Sequence, residues 1–119
     1  MSAGTARINV RHRDSGVVQV GFAEKRIADA LMIQQIGEEI GKLIDAEQKP
    51  RMLLSFRNVD FLSSAALSML IGVNTRVKAK GGKLRLAEIK PDIYQMFKIT
   101  KLHSLFEIFD TVEDAVKGF

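Results

Sequence analysis

The chain has 119 residues, a formal net charge of +4 and no cysteine. That length suits one domain able to bury a core without metal or crosslinks, and the missing cysteines exclude a disulfide framework and thiolate zinc sites. With 46% hydrophobic and 27% charged residues the composition is that of a globular protein. There is no charged-then-apolar leader and no apolar run approaching ~18 residues, so a cytoplasmic protein without a transmembrane segment is expected.

In chain order, residues 1–6 are small and polar and are expected to fray. "RINV" (Arg7–Val10) and "VVQVGF" (Val17–Phe22) are rich in Val and Ile and flank the turn chemistry of Asp14, Ser15 and Gly16, which predicts a hairpin. From Ile27 to Asp45, apolar Met32, Ile36, Ile40, Leu43 and Ile44 recur at helical spacing, giving an amphipathic helix. Gly37 and Gly41 weaken that helix by about 1 kcal/mol each relative to alanine, which suggests close approach to a sheet. After Pro50, "RMLLSF" (Arg51–Phe56) is an unbroken apolar run suited to a strand covered on both faces.

The stretch "NVDFLSSAALSMLIG" (Asn58–Gly72) enters a helix predicted over Ser64–Lys80, with Ala66, Leu70, Val73 and Val77 on one face and Gly81-Gly82 as its stop. "KLRLAEI" (Lys83–Ile89) alternates as a strand does, and Pro91 opens a short helix, "PDIYQMFKI". A loop over Lys101–Ser104, a strand "LFEIF" (Leu105–Phe109) and a last helix follow. That helix is capped by Asp110 or Thr111, has Glu113 and Asp114 in its first turn, and runs through Lys117. The order β-β-α-β-α-β-α-β-α predicts a single α/β domain over residues 1–119: a mixed, mostly parallel sheet with roughly four helices packed against it.

Catalytic chemistry is thinly supplied. His12 and His103 are far apart in sequence, and "LSSAA" lacks the glycines of a nucleophile elbow. No paired metal ligands, phosphate-binding glycine loop or dinucleotide motif is present, so neither metal nor cofactor is expected and the chain does not read as an enzyme. Basic residues concentrate late, at Arg76, Lys78, Lys80, Lys83, Arg85, Lys90, Lys98 and Lys101. Such a run reads first as a solvated helix and strand surface; the alternative is that it steers an acidic partner, a nucleic acid or an anionic membrane. It lacks the interleaved aromatics of single-strand binders, so direct nucleic-acid binding is not expected.

That leaves Ser63 and Ser64, placed after the apolar strand and at the first turn of the next helix. Read from residue physics, a serine there is foremost an N-cap worth about 1 kcal/mol. The same place also tolerates a phosphoryl group, because a helix start offers free N–H groups and partial positive charge.

From "LLSFRNVDFLSSAALSMLIG" through Gly81-Gly82, Leu84–Ala87, Pro91–Phe97, Thr100-Lys101-Leu102 and Leu105–Phe109, the chain resembles the STAS domain of bacterial anti-sigma factor antagonists. The family loop runs apolar-x-Asp-Ser-Ser/Thr-Gly-Leu; here Ser63 stands in place of the aspartate, Ala65 of the second hydroxyl and Ala66 of the glycine. The resemblance implies a non-enzymatic antagonist that binds an anti-sigma factor with serine kinase activity. Phosphorylation of the serine after the loop aspartate, which aligns with Ser64 and less well with Ser63, blocks that binding, and a phosphatase restores it. Partner-binding positions carried over are Asp60, Phe61, Leu62, Ser63, Ser64 and Ser68, with Asn74 and Thr75 expected on the same exposed helix face. Phe61 and Leu62 are expected first as buried residues, with the role of exposed anchors for a partner as the alternative. The alternative function is an unphosphorylated scaffold module in a signalling or transporter-associated complex.

Overall fold

A computed structural model describes residues 7–119; the fraying expected of residues 1–6 lies outside them. The hairpin forms as β1 (Ile8–His12) and β2 (Val18–Phe22), antiparallel with Ile8 opposite Phe22. Its turn closes through Arg13 N–H to the Val17 carbonyl at 2.9 Å, and Gly16 takes the positive φ of +86° that a side chain would resist.

β3 (Arg26–Ile27), α1 (Ala30–Asp45), β4 (Arg51–Ser55), β5 (Phe61–Leu62), α2 (Ser64–Ala79) and β6 (Lys83–Ala87) follow, then α3 (Pro91–Ile99), a 3₁₀ turn (Leu102–Ser104), β7 (Glu107–Phe109) and α4 (Val112–Ala115). The main sheet is five-stranded in the order β1-β2-β4-β6-β7, parallel in every pair after the hairpin. The mixed, mostly parallel sheet with four helices is thus as the sequence predicts. Strands β3 and β5 form a separate two-stranded parallel ladder, Arg26 beside Phe61 and Ile27 beside Leu62.

That small ladder corrects one boundary. Ile27 is not the first residue of α1 but a buried strand residue; the helix begins after Asp29, whose carboxylate accepts from the Met32 N–H at 2.9 Å. Ile33, Ile36, Ile40 and Ile44 form its buried stripe, with Met32 and Leu43 half-buried beside it. The glycines of α1 face α2 rather than the sheet. A Cβ on Gly37 would lie 3.5 Å from Met69 Cγ, and one on Gly41 would meet the Arg76 guanidinium. Further along, Arg76 pairs with Asp45 at 3.1 Å and the Lys80 ammonium donates to the Ile44 carbonyl at 3.0 Å. The two helices therefore run parallel, their N-termini at one end.

The main core lies between these helices and the sheet, where Val20, Met52, Leu54, Leu86 and Phe97 are sealed. Phe22 stacks at 5.0 Å on Phe56, and Phe97 meets Phe106 edge-on at 5.9 Å. A smaller cluster on the opposite face joins Leu53 and Ala87 to Val112 and Ala115 of α4. The last strand is shorter than predicted because Leu105 is exposed and Phe106 turns into the core. The last helix stops at Ala115, capped by the Thr111 hydroxyl accepting from Asp114 N–H at 3.1 Å.

Arg85, counted above among the basic surface residues, is buried. It pairs with Glu107 at 2.8 Å and donates to the carbonyls of Ala115, Lys117 and Gly118 at 3.0, 2.6 and 3.1 Å, between the rings of Phe109 and Phe119. With Arg76 and Lys80 tied to the end of α1, the late basic residues do not form one continuous stripe.

Candidate functional site

The carboxyl end of β4 opens into the segment that carries Ser64, which is where sites gather in parallel sheets. That segment is fastened along its length. The N–H groups of Asp60 and Phe61 both donate to the Lys25 carbonyl, at 2.7 and 3.2 Å, and the Ser63 N–H donates to the Ile27 carbonyl at 3.0 Å. The predicted loop is therefore a strand addition that fixes where α2 begins.

Of the two serines, Ser63 caps. It has extended backbone angles, its Oγ accepts from the Ala66 N–H at 3.2 Å, and its carbonyl accepts from Leu67 N–H at 3.0 Å. Serine thus does at this position what an aspartate would do as a cap. Ala66 is fully buried in ordinary helical conformation, so the helix start does not need the glycine of the family loop. Ser64 is the first residue of α2 and is exposed, with Ala65 and Ser68 exposed beside it. Its hydroxyl is thus left to solvent at the positive end of a sixteen-residue helix.

The surroundings are cationic. Arg26 lies over the Phe61 ring at 4.4 Å, Lys25 is exposed, and the Lys90 ammonium pairs with Asp60. The hydrogen bond from Lys90 is the main reason the Asp60 carboxyl is held below its ordinary value; desolvation opposes it, and the charges of Lys90 and then Lys25 add smaller pulls in the same direction as the hydrogen bond. Asp60 is thereby kept as an anion, tied to the start of α3.

The predicted contact residues separate accordingly. Asp60, Ser64 and Ser68 are exposed, and Ser63 and Phe61 are half-buried. Leu62 is 1% exposed and belongs to the core, so it offers nothing to a partner. Asn74, expected outward, lies one turn beyond Leu70 on the buried stripe and is 4% exposed, whereas Thr75 is exposed and bonds back to the Ile71 carbonyl at 3.1 Å. Sequence reasoning missed Lys25 and Arg26 and had Lys90 only as one of the late basic residues; the β3–β5 ladder and the start of α3 bring them to the Asp60–Phe61 segment. The late histidine is not among them: His103 lies in the 3₁₀ turn after α3, its Nδ1 3.5 Å from the Phe97 carbonyl. Among the described residues there is no group of three or more His, Cys, Asp or Glu able to hold a metal ion, and no helix is long and apolar enough to cross a membrane.

The chain belongs to the STAS domain family, whose model matches residues 28–115. It is 22% identical over 106 residues to the anti-sigma F factor antagonist of Paenibacillus polymyxa, covering 88% of this chain and 86% of that one. Among solved structures, an anti-sigma-factor antagonist (STAS) domain protein from Planctomyces limnophilus superposes with a TM-score of 0.84 at 20% identity, covering 92% of this chain and 95% of that one. The Bacillus cell fate determinant SpoIIAA in its phosphorylated form superposes with a TM-score of 0.70 at 16% identity, over 92% of this chain and 96% of that one.

Proposed function

We propose that this STAS domain is an anti-sigma factor antagonist of the cytoplasm, acting by contact and not by catalysis. Its contact surface is the exposed start of α2 with Asp60, Phe61, Ser63, Ser64 and Ser68, and phosphorylation of Ser64 switches it. The observation that carries the reading is the division of labour between the serines: Ser63 caps α2, which leaves the exposed Ser64 hydroxyl without a structural duty. The name of the Paenibacillus relative and the phosphorylated form of SpoIIAA support the same reading.

The physics follows from charge. Unmodified, the surface carries Lys25, Arg26 and Lys90 against Asp60, and suits an acidic patch on the anti-sigma factor. A phosphoryl group adds a charge of about −1.5 to −2 at neutral pH. It reverses the sign where the partner docks, and desolvating it would oppose binding. The fold tolerates the group because it sits at a helix N-terminus. The partner is an anti-sigma factor with serine kinase activity, and a phosphatase resets the switch.

The test is incubation with ATP and the serine-kinase anti-sigma factor of the source genome, read by intact mass. Wild type and Ser63→Ala gain one phosphate and Ser64→Ala gains none. In binding measurements Ser64→Ala matches wild type and Ser64→Asp binds several-fold more weakly. A chain that gains no phosphate but still binds a partner would be a constitutive scaffold.

A further inference from the structure

The helices α1 to α3 cover one face of the sheet, and α4 covers only part of the other, over Leu53 and Ala87. The outer face of β1 and β2 stays open and polar. Across it, Asn9 stands opposite Gly21, which is level with Ser55 of β4, while Arg11 stands opposite Gln19. These residues, with Arg57 and Asn58 beyond the end of β4, line a cleft of about 260 Å³. We propose that this cleft binds a small ligand through an oxyanion group, a phosphate or a carboxylate.

The arginines carry the chemistry. Arg7, Arg76 and Arg85 each pair with a carboxylate. Among the described residues Arg11, Arg13, Arg26, Arg51 and Arg57 form no ion pair, and of these the exposed Arg11 and Arg57 line the cleft. A guanidinium is a planar fork of donors that matches an oxyanion in bidentate fashion. Amide side chains on Asn9, Gln19 and Asn58 add further donors at the rim.

The floor is shaped for occupancy. A Cβ at Gly21 would find nothing nearer than Asn9 Cβ at 4.0 Å, so the missing side chain leaves open space above the sheet. Ser55, only 8% exposed, also lines the cleft, and its hydroxyl donates to the Glu88 carboxylate at 3.4 Å, so the oxyanion is left to the arginines and the amides of the rim. Glu88 itself sits at φ +61°, a left-handed conformation that costs a non-glycine residue energy. The cleft lies at the carboxyl end of the parallel strand β4, where sites gather in such sheets. Phe22, the one aromatic ring among the lining residues, is 1% exposed, so no ring is presented for a nucleobase to stack on. The volume and the polar rim fit a small anion or a compact phosphorylated or carboxylated metabolite.

The site is independent of Ser64, and so is its test. Amide NMR spectra of the full chain are followed during titration with inorganic phosphate and, separately, with succinate, at ionic strength held constant with potassium chloride. Saturable shifts at Gly21, Ser55, Arg57 and Asn58 are expected with at least one probe. Saturation by phosphate alone assigns a phosphate ligand, and by succinate alone a carboxylate ligand. Arg11→Gln and Arg57→Gln, both at exposed positions, each weaken that binding by about tenfold or more, the loss of a charge-assisted hydrogen bond. Lys98→Gln, an exposed change on α3, leaves it intact. Shifts that stay linear to the highest concentration, that arise equally at the remote lysines, or that survive both arginine substitutions would overturn the proposal.

Discussion

Lys90, the residue that precedes the first turn of α3, is ion-paired to Asp60, just ahead of Ser64. The pair ties the start of one helix to the segment that launches another, and it explains why the Asp60 carboxyl lies below its ordinary value. Lys90→Met is expected to bring the Asp60 titration midpoint back up, followed through the side-chain carboxyl carbon by NMR. Added salt should move it the same way, since the pair is exposed and open to screening. The sign of the stability effect follows from the depressed value. The contribution of the pair is complete above the carboxyl's unfolded-state value and fades as pH falls through the lowered, folded-state one. An Asp60 midpoint identical in wild type and Lys90→Met would mean that Lys90 is not its partner in solution.

Much of this frame is legible in the sequence because long elements repeat a pattern. Ile36, Ile40 and Ile44 in α1, and Ala66, Leu70, Val73 and Val77 in α2, are buried where their spacing puts them. The β3–β5 ladder is not legible, since two-residue strands are too short to show a period. Ile27 and Leu62 are apolar and could equally belong to a helix or a strand; only their pairing settles it. Composition misleads in a second way. Arg85 reads as a surface cation on an alternating strand, yet its stem crosses the face that α4 covers and its head finds the carbonyls of the C-terminal turn. Ser63 and Ser64 stand out as a pair in the sequence, but which one caps depends on the residue at which the helix starts.

Arg85 supplies the largest stability prediction. Arg85→Met leaves the carbonyls of Ala115, Lys117 and Gly118 without their donor and Glu107 without its cation. A loss of about 3 kcal/mol is expected from denaturant unfolding, about 1 kcal/mol for each of the three carbonyls left without its donor. Glu107→Gln removes the half-exposed member and should cost less than about 1 kcal/mol. Equal losses from the two substitutions would show that the ion pair, and not the carbonyl contacts, is what anchors the C-terminal turn.

The glycines give a graded series. At Gly37 a methyl group meets Met69 Cγ at an ordinary 3.5 Å, so Gly37→Ala should stabilise by up to about 1 kcal/mol through helix propensity. At Gly41 the same change presses on the Arg76 guanidinium, the flexible end of a side chain, and disturbs its pair with Asp45; the two effects should nearly cancel. At Gly82 the obstacle is the Pro50 carbonyl, which is backbone and accepts from Lys83 N–H at 2.8 Å, so it cannot yield. Gly82→Ala should cost about 2 kcal/mol, as overpacking does. Thermal unfolding in that order, Gly37→Ala highest and Gly82→Ala lowest, checks the series.

The two serines can be separated by stability alone, without a partner. Ser63→Ala removes the hydroxyl that accepts from the Ala66 N–H and should cost about 1 kcal/mol. Ser63→Asp should restore the cap and add favourable charge at the start of α2. Ser64→Ala takes away an exposed hydroxyl that caps nothing, so its effect should stay within about 0.5 kcal/mol. The opposite ranking, a costly Ser64→Ala beside a silent Ser63→Ala, would assign the cap to Ser64. A hydroxyl needed to hold the helix would then no longer be one kept for modification, and the basis for placing the switch at Ser64 would be lost.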